Sequence, residues 1–213
     1  TVYDSRNNCN AIIESATNTL ITGCQNTIIP KDVVSVGKYS FVGQKQLNLI
    51  AFPSSVQKIE YNAFADCSNL KTILFGSQVD SIAQKAFENC FAIDDIYSYN
   101  LQPPFLSYNA LAYYDANLYV PCSALSDYQT ADNWSRFVNV HCIDTMYFNI
   151  TNDIVRPYTA EVTYGDILYA GDIFIPALTM IDDEVYHVTS IGDSAFYNCS
   201  SLTSVSIPES VVT

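Results

Sequence analysis

Few side chains in this chain of 213 residues have the types and spacings that chemistry uses. The two histidines are His141 and His187, and neither stands in a His/Cys ligand series of the kind zinc sites are built from. His141 beside Cys142 invites a thiol-hydrolase reading with an Asn or Asp as third partner. Adjacent residues on a strand point to opposite faces, which argues against such a dyad. The seven glycines are scattered, so there is no glycine-rich phosphate loop, and no Gly-x-Ser-x-Gly occurs. Carboxylates are densest at Asp94-Asp95 and Asp182-Asp183-Glu184. Neither stretch has the alternating ligands and glycine of a calcium loop. The first reads as strand with Asp95 pointing outward beside Tyr97, the second as a solvated hairpin tip. No catalytic, cofactor-binding or metal-binding residue is assigned, no cofactor is expected, and the expectation is a protein that is not an enzyme.

Composition narrows the partners. A net charge of −13 with only 15% charged residues leaves no basic surface for nucleic acid or anionic lipid. No apolar run approaches the roughly 18 residues of a membrane span, and Thr1 does not open a charged and then apolar leader. A chain that starts at Thr rather than Met is expected to be a mature or trimmed product.

The cysteines fall into two kinds among the seven present. Cys67, Cys90 and Cys199 recur at one repeat position and read as small buried thiols. Cys9 and Cys24 flank an apolar stretch, and Cys122 and Cys142 flank a terminal segment, both pairs outside the repeat. That placement suits two disulfide staples on capping elements and an oxidising exterior.

A 23-residue repeat sets the elements that position these groups. Copies at 33–52, 56–75, 79–98 and 188–207 place Val36, Ile59, Ile82 and Ile191 first, then Phe41, Phe64, Phe87 and Phe196. Leu47, Leu70, Ile93 and Leu202 follow, then Ile50, Ile73, Ile96 and Val205. A period of 20 to 29 with this apolar core is that of a leucine-rich repeat, one coil per repeat, each unable to bury its apolar face alone. The predicted fold is an α/β leucine-rich repeat solenoid: short parallel β-strands, irregular or short helical turns, and β-rich capping segments.

Residues 1–142 are read as one array, with a cap-like coil at 1–32, repeats at 33–111 and a closing unit at 112–142. Within it, 10–14 and 18–22 read as strands, and 99–111 as a fourth coil whose register Pro103-Pro104 interrupts. Residues 123–131 read as a polar helix with Ser123 as N-cap, and Trp134 and Phe137 as the cover of the last coil. Residues 143–213 are read as a β-rich opening cap (143–187) followed by one repeat (188–213), with strands at 147–150, 160–164 and 172–176 and a hairpin tip at 181–186. Closing unit before opening unit is an odd order. Two explanations compete: a piece of a longer surface protein, or an open last coil that stacks head-to-tail on a neighbouring copy.

The stretch Ser-Ile-Gly-Asp-Ser-Ala-Phe-Tyr-Asn-Cys-Ser-Ser-Leu-Thr-Ser-Val-Ser-Ile-Pro at 190–208 resembles the BspA-like leucine-rich repeat family of bacterial surface proteins, as does most of the chain. Gln44 stands where the repeat has Cys, Ala83 where it has Gly, and Gly76 and Asn100 where it has Pro. The resemblance implies a secreted or cell-surface location and host extracellular-matrix or other cell-surface proteins as ligands. Three tripeptides, Asp80-Ser81-Ile82, Asp144-Thr145-Met146 and Asp193-Ser194-Ala195, resemble the O-glycosylation acceptor of some Bacteroidetes; Thr145 alone lies outside the repeats.

Strand geometry gives the expected binding face. With the in-phase apolar residues pointing in, Leu49 and Ala51, Thr72 and Leu74, Asp95 and Tyr97, and Ser204 and Ser206 point out. Leu49, Leu74 and Tyr97 are expected to form an exposed apolar column beside Asp95. Sixteen tyrosines suit recognition, since Tyr gives large contact area at low entropic cost. The expected function is a non-enzymatic recognition or adhesion module. A structural spacer in a larger surface protein is the alternative, and a hydrolase assembled from scattered residues the minor rival.

Overall fold

Apolar pairs and quartets that recur every 23 residues cannot bury themselves within one turn of chain, so each turn must lie on the next. The computed structural model, which describes residues 2–143 and 146–212, shows how they do so. The chain divides into two units, residues 1–141 and 142–213; Thr145, the acceptor expected in the linker, lies outside the described residues.

The first unit and its closing strand comprise β1 (Tyr3–Asp4), β2 (Ile12–Glu14), β3 (Thr19–Thr22), β4 (Ser35–Val36), β5 (Leu49–Phe52), β6 (Lys58–Ile59), β7 (Thr72–Phe75), β8 (Ser81–Ile82), β9 (Asp95–Ser98), β10 (Phe105–Leu106), β11 (Asn117–Pro121) and β12 (Asn139–Ile143). The short helix α1 (Leu125–Thr130) lies between the last two. One sheet runs β1-β2-β3-β4-β6-β8-β10 and the other β12-β11-β9-β7-β5. From β3 onward the first sheet is parallel, with Ser35 opposite Lys58 and Lys58 opposite Ser81. In the second, Leu49, Thr72 and Asp95 are aligned in the same way. Both registers step by 23 residues. The next coil steps by 24 in one sheet, Ser81 opposite Phe105, and by 22 in the other, Asp95 opposite Asn117. The extra residue falls in the segment that Pro103-Pro104 stiffens.

The in-phase residues form the core. Val36, Ile59, Ile82 and Leu106 line it from one sheet and Ile50, Ile73, Ile96 and Leu118 from the other, all buried. Phe41, Phe64 and Phe87 stack with ring centroids 4.7 and 5.1 Å apart and planes within 11°. Burying each such ring is worth about 1.5–3 kcal/mol before stacking adds to it. The small residue before Phe has a backbone role: Phe41, Phe64 and Phe87 donate their N–H to the carbonyls of Ala63, Ala86 and Ala110 on the following coil, at 2.7, 2.7 and 2.8 Å. The repeat cysteines close the same turn from the other side. Cys67 Sγ donates to Phe41 O at 3.1 Å and Cys90 Sγ to Phe64 O at 3.0 Å. Both are free buried thiols, and contact with Cys67 together with burial holds the Cys90 thiol well above its ordinary pKa.

The three coils that keep the 23-residue step also each turn through two left-handed residues, at Tyr39, Asn62 and Lys85 and at Gly43, Asp66 and Asn89. The second row holds only Gly, Asp and Asn, the types that tolerate this conformation best. Gly76 is fixed by space rather than conformation, because a Cβ there would lie 2.5 Å from Phe52 O and 2.7 Å from Pro53 C. The register that sets Phe75 opposite Ser98 puts Tyr99, not Asn100, at the matching place one coil on; Asn100, the residue after it, is buried and donates Nδ2 to Gly76 O at 3.1 Å. Gly76 and the Asn100 side chain that caps its carbonyl are therefore specific fittings.

The closing segment covers the last coil. Trp134 is 1% exposed, meets Phe75 and Tyr128 edge-on and Phe137 face to face, and donates Nε1–H to Pro104 O at 2.7 Å. The expected N-cap differs. Ser123 lies inside a 3-10 turn, Cys122–Ala124, and the helix starts after Ala124 without a side-chain cap. Cys122 and Cys142 are disulfide-bonded. Cys9 and Cys24, expected as the other staple, are free: Cys9 Sγ is turned into the core toward Ala11 O at 3.7 Å, and Cys24 Sγ meets Asn10 O at 3.5 Å. Thr27 Oγ1, accepting from Cys24 N and donating to Asn10 O, ties that turn to the cap strand without a covalent bond.

The second unit contains β13 (Tyr147–Asn152), β14 (Tyr158–Thr163), β15 (Gly171–Phe174), β16 (Leu178–Ile181), β17 (Glu184–Ile191) and β18 (Leu202–Ser206). Four strands form a sheet in the order β13-β14-β17-β16, and β15 pairs with β18 in parallel. Asp182 and Asp183, both left-handed, turn β16 into β17. The core is Val162, Tyr169, Ile173, Ile175, Val188 and Ala195, with Ile191, Phe196, Leu202 and Val205 half-buried against it. Val212 N donates to Thr189 O at 3.0 Å, the same 23-residue step by which Gln57 N donates to Val34 O and Asp80 N to Gln57 O.

Candidate recognition face

Strand alternation sends two lines of side chains outward from the β5–β7–β9–β11 ladder. Backbone register decides which residues share a line. Leu49, Thr72, Asp95 and Asn117 form one line, and Ala51, Leu74, Tyr97 and Tyr119 the other. Leu49 therefore does not stand in a column with Leu74 and Tyr97, as expected from the sequence.

The two lines differ in exposure. Leu49, Thr72, Asp95 and Asn117 are all half-exposed. In the second line Ala51 is half-exposed, but Leu74 is 0% and Tyr97 2% exposed, so the expected apolar column is not open to solvent. The reason is lateral packing. In-register side chains on neighbouring strands stand about 5 Å apart, too close for a large ring to keep clear of the next. Tyr97 stacks on Tyr119 at 4.6 Å and Tyr119 on His141 at 5.3 Å; Leu74 lies between Ala51 and Tyr97. Asp95 accepts Asn117 Nδ2–H at 3.0 Å and also bonds the Tyr119 hydroxyl. Burial and that carboxylate push the Tyr119 phenol well above its ordinary pKa. The face thus offers a fixed acid, two carboxamides (Asn117 and exposed Asn139) and an exposed imidazole at the end of an aromatic stack.

Ser204 and Ser206 belong to the second unit, on β18, and are exposed. Ser204 Oγ and Thr203 Oγ1 donate to Asp172 Oδ1 at 2.6 and 2.7 Å, which holds that carboxyl below its ordinary pKa. The eight expected residues therefore lie on two sheets. Asn117, Tyr119, Asn139 and His141 were missed. The signal for the first two was available, since Asn117-Leu118-Tyr119-Val120 repeats the strand phase after a step of 22.

The groups considered for catalysis have other surroundings. Cys142 is in a disulfide and offers no thiolate. His187 is half-buried within the four-stranded sheet, opposite Thr159 and Leu178. Burial lowers its pKa. Among the described residues no three His, Cys, Asp or Glu side chains gather as a metal site would need, and no helix is long and apolar enough to cross a membrane.

Comparison with known proteins adds one finding. A family model described as "BspA type Leucine rich repeat region" matches in 6 copies over residues 13–132 and 178–213. No curated protein matches the chain. The matched copies span the parallel ladders with their Phe stack and paired left-handed turns, and on that ground the chain belongs to the BspA-type leucine-rich repeat family.

Proposed function

We propose that this chain is a secreted or cell-surface recognition module without catalytic activity, built as a solenoid of 23-residue coils. The observation that carries the reading is the half-exposed line Leu49, Thr72, Asp95 and Asn117 along a parallel ladder whose other face is a buried apolar core. Such a line presents side chains of chosen chemistry at fixed spacing on a rigid support, which lowers the ordering cost of binding a protein. The Cys122–Cys142 disulfide supports an oxidising location. Family membership supports protein ligands, and extracellular-matrix or other cell-surface proteins are the class proposed.

The test is binding to a panel of purified extracellular-matrix proteins by the wild type and by a Leu49→Lys/Thr72→Lys variant. The recognition reading expects saturable binding by the wild type, about tenfold weaker in the variant, with an unchanged unfolding midpoint. One observation favours a second reading: burial of Leu74 and Tyr97 removes the apolar centre that interfaces usually have. A spacer that holds other domains apart has no need of that centre. It expects no binding to any member of the panel.

A further inference from the structure

The second unit carries an exposed apolar tip. Ile154 and Val155, consecutive in the turn between β13 and β14, are 87% and 68% exposed. One side chain fixes that turn: Asn152 Oδ1 accepts the N–H groups of Ile154 and Val155 at 3.2 and 3.3 Å, and Asn152 Nδ2 donates to the carbonyls of Val155 and Pro157 at 2.6 and 3.1 Å. Arg156, next along, is held by Glu184 at 2.6 Å and over the Tyr158 ring at 4.3 Å. Two branched apolar side chains are thereby kept in water on a turn with little freedom to fold them inward.

The surroundings are acidic. Residues 142–213 contain ten Asp and Glu against one base, Arg156, and that base is paired. Asp153 is exposed beside the tip. Asp153, Asp182 and Glu184 all lie close enough to Tyr186 to help burial raise its phenol pKa. An apolar centre with a charged rim is the anatomy of a contact surface, and the sign of the rim selects the partner.

We propose that the 152–157 turn is a docking point for a basic amphipathic protein segment, whose apolar strip receives Ile154 and Val155 and whose flanking Lys or Arg side chains face the carboxylates. A fixed turn makes little further ordering necessary on binding. Opposite charge at the rim speeds encounter and excludes acidic partners. The turn shares no residue with the β5–β7–β9–β11 face, so either reading can fail without the other.

The test uses the full chain and a synthetic helical peptide with leucines along one face and lysines on either side, followed by fluorescence anisotropy. Wild-type binding should weaken about tenfold in Ile154→Ser/Val155→Ser, with the unfolding midpoint unchanged because both residues are exposed. Asn152→Ala, which frees the turn but keeps both apolar groups, should weaken it about threefold. The wild type should bind a control peptide with serines in place of the leucines at least about tenfold more weakly. Equal binding of the Ile154→Ser/Val155→Ser variant, or equal affinity for the serine peptide, would show simple attraction to an acidic surface and overturn the proposal. So would wild-type retention on uncharged phosphatidylcholine vesicles that is lost in Ile154→Ser/Val155→Ser, since the tip's occupant would then be lipid.

Discussion

At the scale of single residues, the inward positions carry stability and the outward ones divide. Phe64 lies between Phe41 and Phe87 and is 0% exposed. Phe64→Ala should cost about 3–5 kcal/mol, read as a lower denaturant midpoint. Leu74 and Tyr97 point outward by strand parity yet are buried, so Leu74→Ser and Tyr97→Ala should each destabilise by more than about 1 kcal/mol. Thr72→Ala, half-exposed on the same ladder, should stay within about 0.5 kcal/mol of the wild type. Alternation told from the sequence which side of the sheet a residue takes. It could not tell that Tyr97, Tyr119 and His141 close over that side, because the stack depends on strands 22 residues apart aligning. Gly76 was legible only as a break in a pattern; its reason is the nearby Phe52 carbonyl, which no local rule contains.

At the scale of elements, the strands of the array followed the apolar pattern closely, and the caps less so. The repeat imposes the same requirement several times over, whereas each cap solves its problem once. The closing unit's Trp134 and Phe137 could be picked out because an open coil end needs large apolar cover. The helix start could not, because α1 has no side-chain cap to announce it. Trp134→Phe keeps most of that cover but leaves Pro104 O without its donor, and should cost about 1–3 kcal/mol. Reducing the Cys122–Cys142 disulfide opens a loop of about 20 residues. By the chain-entropy relation that should lower stability by about 3 kcal/mol, seen as an earlier denaturant midpoint with reductant present. The staple expected on the first cap was misread because flanking positions in sequence do not reveal where two thiols point.

At the scale of the whole molecule, acidity and compartment matter most. His187 has its pKa lowered by burial from an ordinary value of 6.5, so the unfolded chain binds its proton more readily than the folded one. Its contribution to stability is complete above pH 6.5 and is lost as pH falls from there through the folded value. Unfolding midpoints should therefore fall between pH 7 and 5, and His187→Gln should flatten that slope. The extracellular reading rests on one disulfide among seven cysteines, and counting thiols tests it most directly. The unreduced chain, purified from cells that make it, is denatured with an alkylating agent and its mass is measured. Five alkyl groups are expected, on Cys9, Cys24, Cys67, Cys90 and Cys199, with Cys122 and Cys142 protected. Seven alkyl groups would remove the staple and contradict an oxidising location. Three would mean that Cys9 and Cys24 are also joined, contradicting the structure of the first cap.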